Sequence, residues 1–158
     1  MEKKKLVAYF SCSGVTRAAA EEIARAEGAD LFGIVPAQPY TAADLDWTDK
    51  KSRTTLEMSD PACRPAIAGK VVDMSSYDTV FLGFPIWWYV APRIIETFLE
   101  SYDFSGKTIV PFFTSGGSSA GKTDAVLRAC CSENTRWLPS RRIANAGAAA
   151  AWAASLNL

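Results

Sequence analysis

The sequence predicts an open, doubly wound α/β domain: a five-stranded parallel sheet with helices on both faces, a three-layer sandwich. Three observations carry this expectation. Short apolar runs, continuous enough to be buried on both sides, alternate with segments whose apolar residues recur at helical spacing. A chain of 158 residues suits one domain, here taken as 1–158, with a sizeable core. A hydrophobic fraction of 49%, with 11% aromatic residues, excludes disorder.

Residues 5–10 form the first strand, an almost unbroken apolar run. A helix follows over 15–27, with Ala19, Ala20, Ile23 and Ala24 as its inner stripe and Gly28 as its stop. On its solvated side Arg17–Glu21 and Glu21–Arg25 are spaced for ion pairs. Residues 31–35 make the second strand, closed by Pro36, and 79–84 the third. Pro92 opens a helix in which Ile95, Phe98, Leu99 and Tyr102 share a face. The fourth strand is 108–113, and Thr123, Val126, Leu127 and Cys130 set the inner side of the next helix. A fifth strand lies within 135–143, disturbed by Pro139, and a last helix over 148–156 turns Ala149, Trp152, Ala153 and Leu156 inward. Residues 37–76 interrupt this rhythm as an insertion between strands two and three. Within it, Thr41 and Asp44 have capping-box spacing, 52–58 suits a short helix, and Tyr40 and Trp47 either cover a substrate site or pack the insertion.

Composition narrows the chemistry. There is no histidine, which removes Ser–His and Cys–His nucleophile pairs, imidazole bases and most zinc sites. Seventeen basic residues against 17 acidic ones argue against a nucleic-acid partner. The four cysteines form neither a Cys-x-x-Cys pair nor a spaced framework. The apolar start is too short for a signal peptide, and the longest uncharged run, 80–92, is too short to span a bilayer. A cytoplasmic chain with no membrane partner is the expectation.

In such sheets ligands bind beyond the carboxyl ends of the strands, so three loops matter. The first, Ser11, Cys12, Ser13, Gly14, Val15 and Thr16, sets hydroxyls and free backbone N–H groups before a helix N-terminus, which suits a phosphate; its alternative is an ordinary N-cap turn. The second, Pro85, Ile86, Trp87, Trp88 and Tyr89, offers three consecutive large rings, which suits a wall for a planar ligand; packing of one ring inward is the alternative. In the third, Thr114, Ser115, Gly116, Gly117 and Ser118 let a ligand edge approach the backbone closely, unless they form a plain flexible loop.

Taken in order, Tyr9 to Thr16, Gly83 to Trp88 and Thr114 to Ser118 make the chain resemble the flavodoxin family over nearly its whole length. The resemblance implies strand order 2-1-3-4-5 and a non-covalently bound FMN. Ser11, Ser13, Gly14, Val15 and Thr16 would then hold the phosphate, with Cys12 a backbone position between them. Pro85, Ile86, Trp87, Trp88 and Tyr89 would border the isoalloxazine, and Thr114, Ser115, Gly116, Gly117 and Ser118 would meet its polar edge. Val15 stands where the family often has a polar residue, so it would act through its N–H. The family's electron carriers are typically strongly acidic, whereas this chain is neutral. Three roles follow: an electron-transfer protein with a redox partner protein, an oxidoreductase taking hydride from a nicotinamide donor for a small acceptor such as a quinone, or a non-redox phosphate or nucleotide binder. No side chain is expected to act as acid, base or nucleophile.

Two other motifs compete. Gly116 to Thr123 matches the Gly-x-x-x-x-Gly-Lys-Thr phosphate loop, but no later strand ends in an acidic magnesium ligand. Cys12 before a helix suggests a phosphatase loop with a lowered thiol pKa, but Arg17 follows one residue too early to clamp a phosphoryl group.

Overall fold

In a computed structural model, residues 4–115, 119 and 121–158 are described. The central sheet runs through β1 (Lys4–Tyr9), β2 (Asp30–Gly33), β5 (Tyr77–Pro85), β6 (Thr108–Thr114), β7 (Arg136–Trp137) and β8 (Arg141–Arg142). Its order is β2-β1-β5-β6, with β7 and β8 both pairing parallel to β6. The expected 2-1-3-4-5 arrangement is therefore present, with the fifth position filled by two fragments. Pro139 accounts for the split, since it has no N–H for the ladder; Leu138 N bonds to Ile109 O and Ile143 N to Phe113 O on either side of it.

Helices α1 (Val15–Glu27) and α5 (Ala146–Ser155) cover one face, and α3 (Arg93–Glu100) and α4 (Thr123–Arg128) the other. Strand alternation divides the core accordingly: Leu6, Ala8, Val80, Leu82 and Phe84 face α3, while Val7, Phe81, Val110 and Phe112 face α1 and α5. The latter layer is thin because Ala19, Ala20, Ala149 and Ala153 let the two helices approach closely. Gly83 belongs to the same economy of space. A Cβ there would lie 2.2 Å from the Phe112 ring, so glycine is what lets that ring cross β5.

The helix boundaries follow their chemistry. Gly28 ends α1 at φ 61°, and the Asn145 side chain accepts from Ala148 N at 2.9 Å to start α5 two residues earlier than expected. α3 and α4 are shorter than their apolar periodicity, so Tyr102 and Cys130 lie just past their ends yet still pack on the core. Arg25 pairs with Glu22 rather than Glu21, because Glu21 is held by Arg17 at 3.1 Å.

The second strand is shorter than expected. β2 stops at Gly33, and β3 (Val35–Pro36) turns away to pair antiparallel with β4 (Ile67–Ala68) in the insertion. Thr41 and Asp44 do make both reciprocal capping bonds, at 2.9 and 3.1 Å, but they close a turn and not a helix. Ser52 caps α2 (Arg53–Ser59), whose Arg53, Glu57 and Met58 anchor the insertion.

Among the described residues no helix is long and apolar enough to cross a membrane.

Candidate functional site

The parallel strands deliver three loops to one end of the sheet, and hydrogen bonds tie those loops together. Thr16 Oγ1 and Thr114 Oγ1 lie 2.7 Å apart, both buried, joining the first loop to the third. Ile86 N donates to Thr114 O at 3.2 Å, joining the second to the third. A Cβ on Gly121, at φ 57°, would lie 2.4 Å from Tyr89 O; only glycine lets the end of the third loop rest against the second.

The first loop ends in an open helix N-terminus. Gly14 adopts φ 90°, no side chain caps α1, and its first turn holds no acidic residue. Ala18 N bonds to Gly14 O, so Val15, Thr16 and Arg17 present the N–H groups that have no partner inside the helix. Ser11 Oγ accepts from Gly14 N at 3.1 Å, which fixes the loop and leaves its hydroxyl proton to donate outward. Ser13 and Val15 are exposed. Thr16, by contrast, turns its hydroxyl inward, so its backbone N–H is what faces the opening. Arg17 lines a cavity of about 310 Å³ beside Ser11, Cys12 and Gly14.

The second loop is a tight hairpin. Trp87 and Val90 exchange both backbone hydrogen bonds, at 2.9 and 3.1 Å, around Trp88 and Tyr89. These two have φ of 50° and 65°, the left-handed pair that a type I′ turn demands and that Asn-Gly normally supplies. Aromatic residues there are strained by roughly 1–3 kcal/mol each. Trp87 is sent inward, edge to face with Phe10 and Tyr40, while Trp88 and Tyr89 remain 43% and 64% exposed. Among the described residues, Trp47, Ile86, Trp87, Trp88 and Tyr89 line a cavity of about 450 Å³, and none of these side chains is charged.

Of the third loop, Thr114 is buried and Ser115 half-buried; Gly116, Gly117 and Ser118 lie outside the described residues. Arg142 of β8 donates to Ser115 Oγ and Ser115 O, both at 3.2 Å, and so sets a guanidinium at this loop.

A family model for flavodoxins matches residues 4–154. The chain belongs to the flavodoxin family. The crystal structure of a proposed flavoprotein from Bacteroides eggerthii is 48% identical, with a TM-score of 0.90 and 99% of each chain covered. One from Bacteroides uniformis is 46% identical, with a TM-score of 0.89, covering 96% of this chain and 98% of its own. A flavoprotein from Lactobacillus acidophilus, crystallised in complex with FMN, shares the fold at 22% identity and a TM-score of 0.69, over 89% of this chain and 93% of its own. No curated protein matches the sequence.

Of the two competing motifs, the lysine-threonine one has Thr123 fully buried and Gly121 against Tyr89, while Gly116, Gly117, Ser118 and Ala120 lie outside the described residues. Cys12 is exposed as a residue, yet the surrounding insertion desolvates its thiol and pushes it up to about 11, against a smaller opposing pull from Arg53. The thiol is raised and not lowered as expected, because burial outweighs the pull of Arg53.

The insertion also gives Tyr40 charged partners that the sequence did not single out. Tyr40 donates to Glu57 at 2.5 Å, and Arg53 lies 3.8 Å over its ring while bonding Glu57 at 2.9 Å. Burial and then the Glu57 bond hold the Tyr40 phenol far above its ordinary range. Behind this, Arg93 and Glu96, both buried, pair at 2.8 Å, and Arg64 reaches Glu96 and Glu100 at 3.1 and 2.8 Å. Charged residues at i and i+3 on α3 were the available signal. Nothing in the sequence marked Arg64 as their partner.

Proposed function

We propose that this chain binds FMN non-covalently and acts as a redox protein that passes electrons through it. One observation carries the reading. An uncapped helix N-terminus and an uncharged aromatic cavity of about 450 Å³ open at the same end of the sheet, on loops bonded to one another. The first suits a phosphate and the second a flat, apolar ring, which are the two ends of a flavin mononucleotide. Val15, Thr16 and Arg17 N–H groups, with the Ser11 and Ser13 hydroxyls, would hold the phosphate. Trp88 and Tyr89 would border the ring, and the third loop its polar edge. Bound FMN would supply one- and two-electron chemistry, leaving the protein to bind, orient and exclude water. The family match supports the reading, and so does the FMN carried by the Lactobacillus acidophilus flavoprotein.

The zero net charge favours a second reading of the same site, a nicotinamide-dependent oxidoreductase serving a small acceptor. A chain of balanced charge lacks the acidic field that steers a carrier to basic partner proteins. The test is an absorbance spectrum after excess FMN and desalting, followed by reductive titration. Retained flavin near one equivalent supports the site. Separate one-electron uptake then favours the carrier, and rapid nicotinamide oxidation the enzyme. A colourless product sinks both.

A further inference from the structure

The insertion's Trp47 is 72% exposed, although the backbone on either side of it is fixed. Asp46 Oδ1, just before it, accepts from Thr48 N, just after it, at 3.0 Å. Upstream, Thr41 and Asp44 exchange their reciprocal bonds, and Asp44 O accepts from Thr54 Oγ1 of α2 at 2.8 Å. Downstream, Asp49 O accepts from Thr55 Oγ1, also at 2.8 Å. The backbone that carries this large apolar ring is thus held by a hydrogen-bonded turn, while the ring makes no ring contact among the described residues and leaves most of its surface in water. A packing residue would make ring contacts and lose much of its surface, as the half-buried Tyr40 does against Phe10 and Trp87. Other exposed apolar residues, such as Val72 and Leu56, are scattered singly, as is normal on a surface. Trp47 instead lines the 450 Å³ cavity together with the strained hairpin.

We infer that Trp47 is a ring-binding residue: the insertion supplies the wall of the flavin cavity that the sheet loops do not. This rests on the FMN reading. An aromatic side chain on backbone already fixed before binding has only its own two torsions left to lose when a flat ring meets it, so backbone rigidity here raises affinity. The cavity wall carries no charge, which matches the tricyclic ring and not the phosphate end of the ligand. The insertion is then part of the cofactor site, beyond its role of packing against α3.

The test compares wild type, Trp47→Ala and Trp47→Phe as flavin-free protein titrated with FMN, read by flavin fluorescence, alongside thermal unfolding without FMN. Loss of one aromatic contact is expected to weaken FMN about tenfold in Trp47→Ala, with Trp47→Phe within about threefold of wild type. The unfolding midpoint without flavin stays unchanged in both. The fall in tryptophan emission on adding FMN is smaller in Trp47→Phe. Wild-type affinity in Trp47→Ala overturns the inference while leaving the FMN reading intact. A lowered midpoint in flavin-free Trp47→Ala also overturns it, because Trp47 would then be a packing residue. If the wild-type chain itself fails to bind FMN, the reading falls and the inference with it.

Discussion

Phe10, Tyr40 and Trp87 pack edge to face with centroids 5.6 to 5.8 Å apart, whereas Trp47, Trp88 and Tyr89 beside them touch no other ring among the described residues. The side chains are of the same kind and are in part consecutive in sequence. What separates them is backbone. Trp87 sits in a hairpin position that points its ring into the core, and the two residues after it are held at positive φ with their rings outward. The first trio satisfies itself: Tyr40 has both a hydrogen bond to Glu57 and Arg53 on its face. In the second trio Trp88 and Tyr89 keep strain and exposure together and Trp47 is exposed without strain, which burial alone does not account for and a bound ring would.

The largest expected effect comes from removing the ionic base under the satisfied trio. Glu96→Ala leaves the buried Arg93 without its carboxylate, with only the Glu57 and Met58 carbonyls, and is expected to cost about 3–5 kcal/mol of unfolding free energy, read from denaturant midpoints. A loss under 1 kcal/mol would mean that Arg64 and the Glu57 and Met58 carbonyls, not Glu96, fix the insertion.

A smaller effect, of opposite sign, separates the two trios. Changing Trp88→Asn together with Tyr89→Gly installs residues that favour the turn, so stability is expected to rise by about 1–2 kcal/mol while FMN affinity falls at least about tenfold. If the exposed rings were structural, the same double variant would lose stability.

Tyr40→Phe keeps the packed ring and deletes its bond to Glu57. A stability loss of about 1 kcal/mol is expected, with FMN affinity within about twofold of wild type. A larger affinity loss would place Tyr40 with the exposed trio as a proposed ring contact.

The smallest effect is on pH dependence. Burial raises Cys12 and Cys131 to about 11 and Cys130 to about 12, from an ordinary value of 9.0. Between 9 and those values the folded chain keeps protons that the unfolded chain has released, so this contribution is intact below about pH 9 and is lost as pH rises toward 11 and 12. Denaturant midpoints for wild type and Cys12→Ser, taken from pH 7 to 11, should diverge only in the upper part of that range. Parallel curves throughout would mean that the Cys12 thiol is not desolvated.

The fold was legible because period-two and period-3.6 patterns report burial directly. Val7 against Leu6 and Ala8, or Ile95 and Phe98 along α3, could face only one way once the sheet was parallel. The loops were legible as residue types, since hydroxyls before a helix and rings after a buried strand are local signals. Which way each side chain turned was not. Thr16 reads as a phosphate hydroxyl in sequence, but its Oγ1 meets Thr114, a residue 98 positions away. Arg142 at the third loop and Arg64 at Glu96 are likewise products of distant strands and turns arriving together.

By itself, then, the sequence determined the layered sheet, its strand order through the family motifs, and the three loops that meet at one end of the sheet, because these depend on short-range periodicity and residue type. Tertiary structure alone decided that Trp87 packs half-buried against the core while Trp88 and Tyr89 are surface, that burial raises the Cys12 thiol, and that Trp47 joins the aromatic cavity. Those outcomes depend on backbone torsions and on which remote segment supplies the neighbouring atoms, and no local pattern of residues encodes either.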